Sequence, residues 1–181
     1  MQIPSEFRLR QRSLLNGFKY DFVGQAEELL GSFEFAFFSQ ALNGRLKLYA
    51  PDEASKGAIQ MHWMGKDFLV HHKYTRRGFT NDLRYVLWGP GDELLAEADV
   101  LVATKEQRLP RILLTAPVVG ELGPFIGWPK RRCDLTNGQT VLGSVAEPGA
   151  LTLKRELIVR LPGLSPEVAA FMAIVTLCVR Y

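Results

Sequence analysis

Short alternations of apolar and polar residues run through most of the chain. In "GFKYDFVG", Phe18, Tyr20 and Phe22 fall on one face and Lys19 and Asp21 on the other, the period-2 pattern of a strand buried on one side. "SFEFAFFS" repeats the pattern with Phe33, Phe35 and Phe37, and "NGRLKLYAP" sets Leu46 and Leu48 against Arg45 and Lys47 behind an Asn43-Gly44 turn signal. Further strands are expected in "GAIQMHW", "DFLVHHKYT", "LRYVLWG", "ELLAEADVLV", "RILLTAPVV", "QTVLGSVA" and "LTLKRELIVRL", separated by turn-formers in "GPGDE", "TNGQ" and "EPGA". With one more around "FRLRQRS", the count is about a dozen, at the spacing of an all-β sandwich or barrel. "QAEELLGS" reads as a helical turn, and "GELGPFIGWPK" as a loop over an apolar surface or a lip over a ligand pocket.

Sustained helical character begins only at residue 165. Ser165 suits an N-cap, Pro166 the first helical position and Glu167 the positive end of the helix dipole. From Val168 to Val179 every face is apolar, with Thr176 the single polar residue, so this helix of about 165–180 must be surrounded by protein or lipid. Twelve residues span roughly 18 Å, against about 30 Å for a bilayer core. A buried core helix is therefore expected rather than a transmembrane span; a membrane-embedded or partner-inserted tail is the competing reading. Ala169, Ala170 and Ala173 would let strands approach closely, while Phe171, Met172, Ile174 and Leu177 fill the remaining space.

Composition agrees with one globular domain over 1–181. The chain is 47% hydrophobic, enough for a sizeable core, and its 23% charged residues with no low-complexity run argue against disorder. Two isolated cysteines, Cys133 and Cys178, build neither a disulfide framework nor a C-x-x-C site, and no apolar run of signal-peptide type follows the N-terminus. A cytoplasmic location, peripheral to a membrane at most, is expected.

A β-rich domain closing with an all-round apolar helix resembles the tubby C-terminal-like superfamily, which includes the phospholipid scramblase and LURP-one-related families. "FKYDFVGQAEELLGS" resembles that superfamily's strand, turn, strand opening, and "LTLKRELIVRLPGLSPEVAAFMAIVTLCVRY" its last strand, connection and core helix. The resemblance implies a single closed antiparallel barrel of about 12 strands around a buried C-terminal helix. It also implies binding of phosphoinositide headgroups or other lipid chemistry. No acidic run has the spacing of a calcium loop and no cysteine cluster suits palmitoylation, so calcium-activated scrambling is not expected.

Candidate ligand contacts come from the basic residues. "WPKRRCD" places Lys130, Arg131 and Arg132 beside Trp128, and "HHKYTRRGF" places Lys73, Arg76 and Arg77 beside Tyr74 and Phe79, combinations suited to an anionic membrane surface or a phosphorylated headgroup. They equally suit solvated loops. The formal net charge of +3 is too diffuse to call for nucleic acid. Arg8, Arg10 and Arg12 share a face of the first strand, either as a phosphate-facing ladder or as the charged outer face of an edge strand.

In the last strand Arg155 shares a face with Leu151, Leu153, Leu157, Val159 and Leu161 and would need a buried partner, for which Glu97 and Asp99 are candidates. His71 and His72 are adjacent and His62 lacks neighbours at metal spacing, so neither a metal nor a cofactor is expected. No nucleophile elbow, P-loop or dinucleotide motif occurs. The chain is expected to be a non-enzymatic binding module for anionic phospholipid, phosphoinositide or another phosphorylated ligand at a membrane surface. An enzyme with a small-molecule pocket at the barrel rim and a protein-interaction scaffold are the alternatives.

Overall fold

The computed structural model describes residues 6–13, 19–35, 59–76, 82–101, 110–127, 131–149 and 155–180. Twelve strands occur among them: β1 (Phe7–Gln11), β2 (Lys19–Val23), β3 (Leu29–Glu34), β4 (Ile59–Trp63), β5 (Lys66–Arg76), β6 (Asp82–Trp88), β7 (Leu94–Leu101), β8 (Arg111–Ala116), β9 (Gly120–Leu122), β10 (Arg132–Asn137), β11 (Thr140–Ala146) and β12 (Glu156–Arg160). Each pairs antiparallel with its neighbours in sequence, and β1 pairs with β12, closing the barrel. The expected barrel is therefore observed, by a simple up-and-down route.

The membership of the dozen differs from the expected one. The expected strand in "NGRLKLYAP" lies outside the described residues. Two strands that alternation does not mark take part instead: Gly120–Leu122, inside the stretch read as a loop, and Arg132–Asn137. "QAEELLGS" is not a helical turn. It forms the β2–β3 turn, in which Gly24 N–H donates to the Glu28 carbonyl at 2.8 Å and Glu27 takes a φ of 63°, and then opens β3. β1 is paired on both sides, so its arginines do not protect an edge.

Three hairpins four strands apart share one construction. In β2–β3, β6–β7 and β10–β11 the pairing slips just before the turn, between Phe22 and Val23, Leu87 and Trp88, and Leu135 and Thr136. Across the slip, the turn is followed by an exposed aliphatic residue (Leu29, Leu94, Val141), a leucine that packs on the core (Leu30, Leu95, Leu142), and a small residue (Gly31, Ala96, Gly143). Such bulges add local twist and bend, which a sheet needs in order to close. The first two turns match in hydrogen bonding as well, since Gly89 N–H donates to the Glu93 carbonyl at 2.8 Å and Asp92 takes a φ of 59°.

The barrel is filled by α1 (Pro166–Arg180). Ser165 precedes it and its carbonyl accepts the first helical bond, from Ala169 N–H at 2.9 Å. Val168 through Cys178 are all buried, with Phe171, Met172, Ala173 and Ile174 fully so. Thr176 is accommodated by donating its hydroxyl to the Met172 carbonyl at 2.7 Å. Full burial of each large apolar side chain contributes roughly 1.5–3 kcal/mol, so this one element carries energy on the scale of a domain's whole net stability of about 5–15 kcal/mol. The helix comes closest to β7, β12 and β6. The inward row of β7 is Ala96, Ala98 and Val100, and small wall residues admit that close approach.

The helix also gives the barrel two unlike rims. One carries the tight turns between β2 and β3, β4 and β5, β6 and β7, β8 and β9, and β10 and β11, together with the link from β12 into α1. This is the turn rim. At the opposite rim the C-terminal end of α1 arrives beside β6; there the strands are joined through residues that lie partly or wholly outside those described. No helix among the described residues is long and apolar enough to cross a membrane.

Candidate functional site: the helix-exit rim

Inward rows of apolar residues leave the outer wall to charged side chains, and these are largely paired. Arg8 and Arg10 both bind Glu27 and both approach Glu156, while Arg12 binds Asp21, Lys19 binds Glu34, Arg160 binds Glu6 and Arg111 binds Glu121. The arginine row of β1 is thus neutralised by carboxylates from the neighbouring strands and turn, which removes the phosphate-facing ladder. Arg8 first, then Arg10, holds the Glu27 carboxyl below its usual range, and Arg111 does the same to Glu121.

Glu97 and Asp99 are not partners buried with Arg155. They stand on the outer face of β7, where Asp99 accepts two bonds from Arg84, at 2.7 and 2.9 Å, and Glu97 lies 3.7 Å from the same guanidinium. The physical reason is the alanine row: when Ala96 and Ala98 face the helix, the alternating acids must face out.

Arg155 does lie on the inward row, in continuation of Leu157 and Val159. Its backbone exchanges bonds with Gln11, the Gln11 N–H donating to the Arg155 carbonyl at 2.9 Å and the Arg155 N–H to Gln11 Oε1 at 3.1 Å. Gln11 in turn stands opposite Tyr20. Burial pushes the Tyr20 phenol up, and the nearby Arg155 cation opposes that shift. The hydroxyl itself makes no well-formed hydrogen bond. Leu151 and Leu153 lie outside the described residues.

On the other side of the helix end, the buried Tyr85 hydroxyl bonds the Cys178 sulfur, and His72 tilts over the Tyr85 ring at 5.6 Å. Burial pushes the Cys178 thiol up to about 12, which makes it a poor nucleophile at neutral pH.

The two basic patches separated in sequence reach the same rim. β5 ends there at Arg76, with Lys73 on its outer face, and β10 starts there at Arg132, preceded by Arg131. Arg132 is engaged by Asp134 at 2.7 Å. Lys73 and Arg131 are exposed and have no ion-pair partner among the described residues. Arg77, Trp128 and Lys130 lie outside those residues. Ile126, bridged to Arg132, is 69% exposed at this rim beside the unpaired Arg131.

The turn rim has the opposite sign. Glu28, Asp92 and Glu93 are exposed there without ion-pair partners among the described residues, although Lys66 is also present. Acids at the N-terminal end of α1 and bases at its C-terminal end both complement the helix dipole. His62, expected to lack neighbours at metal spacing, has Asp67 opposite it with Nδ1 and Oδ1 at 2.8 Å, and the pair is exposed on the outer wall. No group of three His, Cys, Asp or Glu suited to a metal occurs among the described residues. Comparison with known proteins finds no family model, curated protein or solved structure that the chain matches.

Proposed function

We propose that this barrel is a non-enzymatic binding module for anionic phospholipid, including phosphoinositide, or another phosphorylated ligand at a membrane surface, and that the helix-exit rim is its contact face. One observation carries the reading. Along the described wall most cations are engaged by a neighbouring carboxylate and the unpaired Lys66 sits among the acids of the turn rim, whereas Lys73 and Arg131, distant in sequence, stand without ion-pair partners among the described residues at the opposite rim. A cation near an anionic bilayer contributes about 1 kcal/mol, more than an exposed ion pair typically returns.

The closed barrel around a C-terminal helix supports the tubby C-terminal-like reading in architecture. It carries the function only as far as the rim chemistry does. Sedimentation with vesicles tests the proposal. The chain is expected to pellet with vesicles containing anionic lipid and to stay in solution with neutral ones. Unchanged binding after Lys130, Arg131 and Arg132 are replaced by Ala would remove this patch as the contact.

A further inference from the structure

We infer that the barrel mouth at the helix-exit rim holds a phosphate monoester, the Arg155 guanidinium gripping two of its oxygens and the Tyr20 hydroxyl donating to the third. The inference rests on the phosphorylated-ligand reading above and names the ligand class and the place on that rim where it seats.

The strand register builds the site. Gln11 and Tyr20 are the inward positions nearest this rim on β1 and β2, and Arg155 leads into β12, so the three side chains come from neighbouring strands. Arg155 continues the inward row of Leu157 and Val159, whereas Glu156 turns to the outer wall and meets Arg8 and Arg10. Gln11, 7% exposed, fixes the backbone that aims the guanidinium. Its Oε1 accepts the Arg155 N–H at 3.1 Å while its Nε2 donates to the Ser13 carbonyl at 3.1 Å. Arg155 is partly exposed, so solvent reaches the site.

A cation at this end is what the negative, C-terminal end of α1 favours, and the helix alone would account for it. It does not account for Tyr20. That residue is 1% exposed, and its hydroxyl faces Arg155 yet makes no well-formed hydrogen bond among the described residues. Buried hydroxyls nearly always find a partner, and a neighbouring cation cannot accept this one's proton. An oxyanion can. A guanidinium carries five N–H donors in a fork that fits two phosphate oxygens, so it holds an anion while keeping other contacts. A monoester brings a third terminal oxygen for the Tyr20 O–H; a diester has only two.

The test uses the full chain. Thermal melts are run over a series of inorganic phosphate against chloride at matched ionic strength. Sedimentation is run with phosphatidylcholine vesicles carrying phosphatidylinositol 4-phosphate or phosphatidylserine at matched anionic charge. Phosphate is expected to raise the melting temperature saturably, and the chain to prefer the monoester vesicles. Tyr20→Phe should keep the fold and weaken phosphate binding about tenfold, the loss of one hydrogen bond to a charged group. Arg155→Met should abolish the saturable response. An equal phosphate response in the parent and Tyr20→Phe, or none in the parent, overturns the mouth site; sedimentation with both charged vesicles then leaves the membrane reading standing. A Tyr20-dependent response without sedimentation keeps the mouth site, makes its ligand a soluble phosphate ester and overturns the membrane reading. Neither response nor sedimentation overturns both.

Discussion

The Tyr85 hydroxyl on β6 donates to the sulfur of Cys178, tying the last turn of the core helix to the barrel wall in a fully buried contact. The Cys178 thiol is pushed up to about 12 by burial, from an ordinary value near 9.0. Above pH 9 the unfolded chain therefore releases a proton that the folded chain retains, and stability falls as pH rises towards 12. The expected slope is on the order of 1 kcal/mol per pH unit, lessened in Cys178→Ala. Urea denaturation between pH 8 and 10.5 checks this; equal slopes in the two proteins would mean the thiol is not buried as described.

The glycine after two of these bulges is a closure requirement. A Cβ on Gly31 would stand 2.1 Å from the His62 carbonyl oxygen, and one on Gly143, whose φ is +155°, 2.2 Å from that of Arg160. In both cases the obstacle is backbone, which cannot swing aside. Gly31→Ala and Gly143→Ala are expected to destabilise by more than about 2 kcal/mol each. The same change at Gly149, where nothing lies within 4 Å, should be nearly neutral. Thermal melts of the three variants decide the point.

Tyr20 stacks on Phe33 at 5.0 Å with planes 6° apart, while its buried hydroxyl faces Arg155 without a well-formed hydrogen bond. Removing an unsatisfied polar group is neutral or favourable. Tyr20→Phe is expected to match the parent or exceed it by up to about 1 kcal/mol in urea. A loss of that size instead would show that the hydroxyl makes a bond.

Ala173 is wholly enclosed in the middle of α1. Ala173→Asp would bury a carboxylate among apolar side chains, a cost of several kcal/mol against a net stability of about 5–15. The variant is expected to be unfolded or aggregated by circular dichroism. Retention of a soluble, cooperatively melting β-rich fold would place the helix outside the core.

Much of this architecture is legible from local pattern. The cap at Ser165-Pro166-Glu167 and a segment apolar on every face identify a surrounded helix, and alternation identifies strands with strong contrast such as β4, where Ile59, Met61 and Trp63 face in. β9 is three residues long, too short to show a period, and β10 offers only Cys133 and Leu135 as its inward row. Bulk misleads on β7, because the row facing the helix is alanine and the leucines lie elsewhere. The site is less legible still. Whether an arginine is spent or available depends on its cross-strand neighbour, as with Arg10 between Glu27 and Glu156, and register over such distances leaves no local trace. The hairpin repeat is visible in "EELLGS" and "DELLAE" once the strands are compared as pairs rather than singly.

The central claim is that the helix-exit rim, and not the apolar helix or the turn rim, meets the membrane. Both native cysteines are buried, so an environment-sensitive fluorophore can be placed selectively at Ile126→Cys or at Leu94→Cys, on opposite rims. On adding phosphatidylserine vesicles, the label at 126 is expected to shift to the blue and become quenched by nitroxide lipids, while the label at 94 stays unchanged. A shift at 94 with none at 126 would contradict the account.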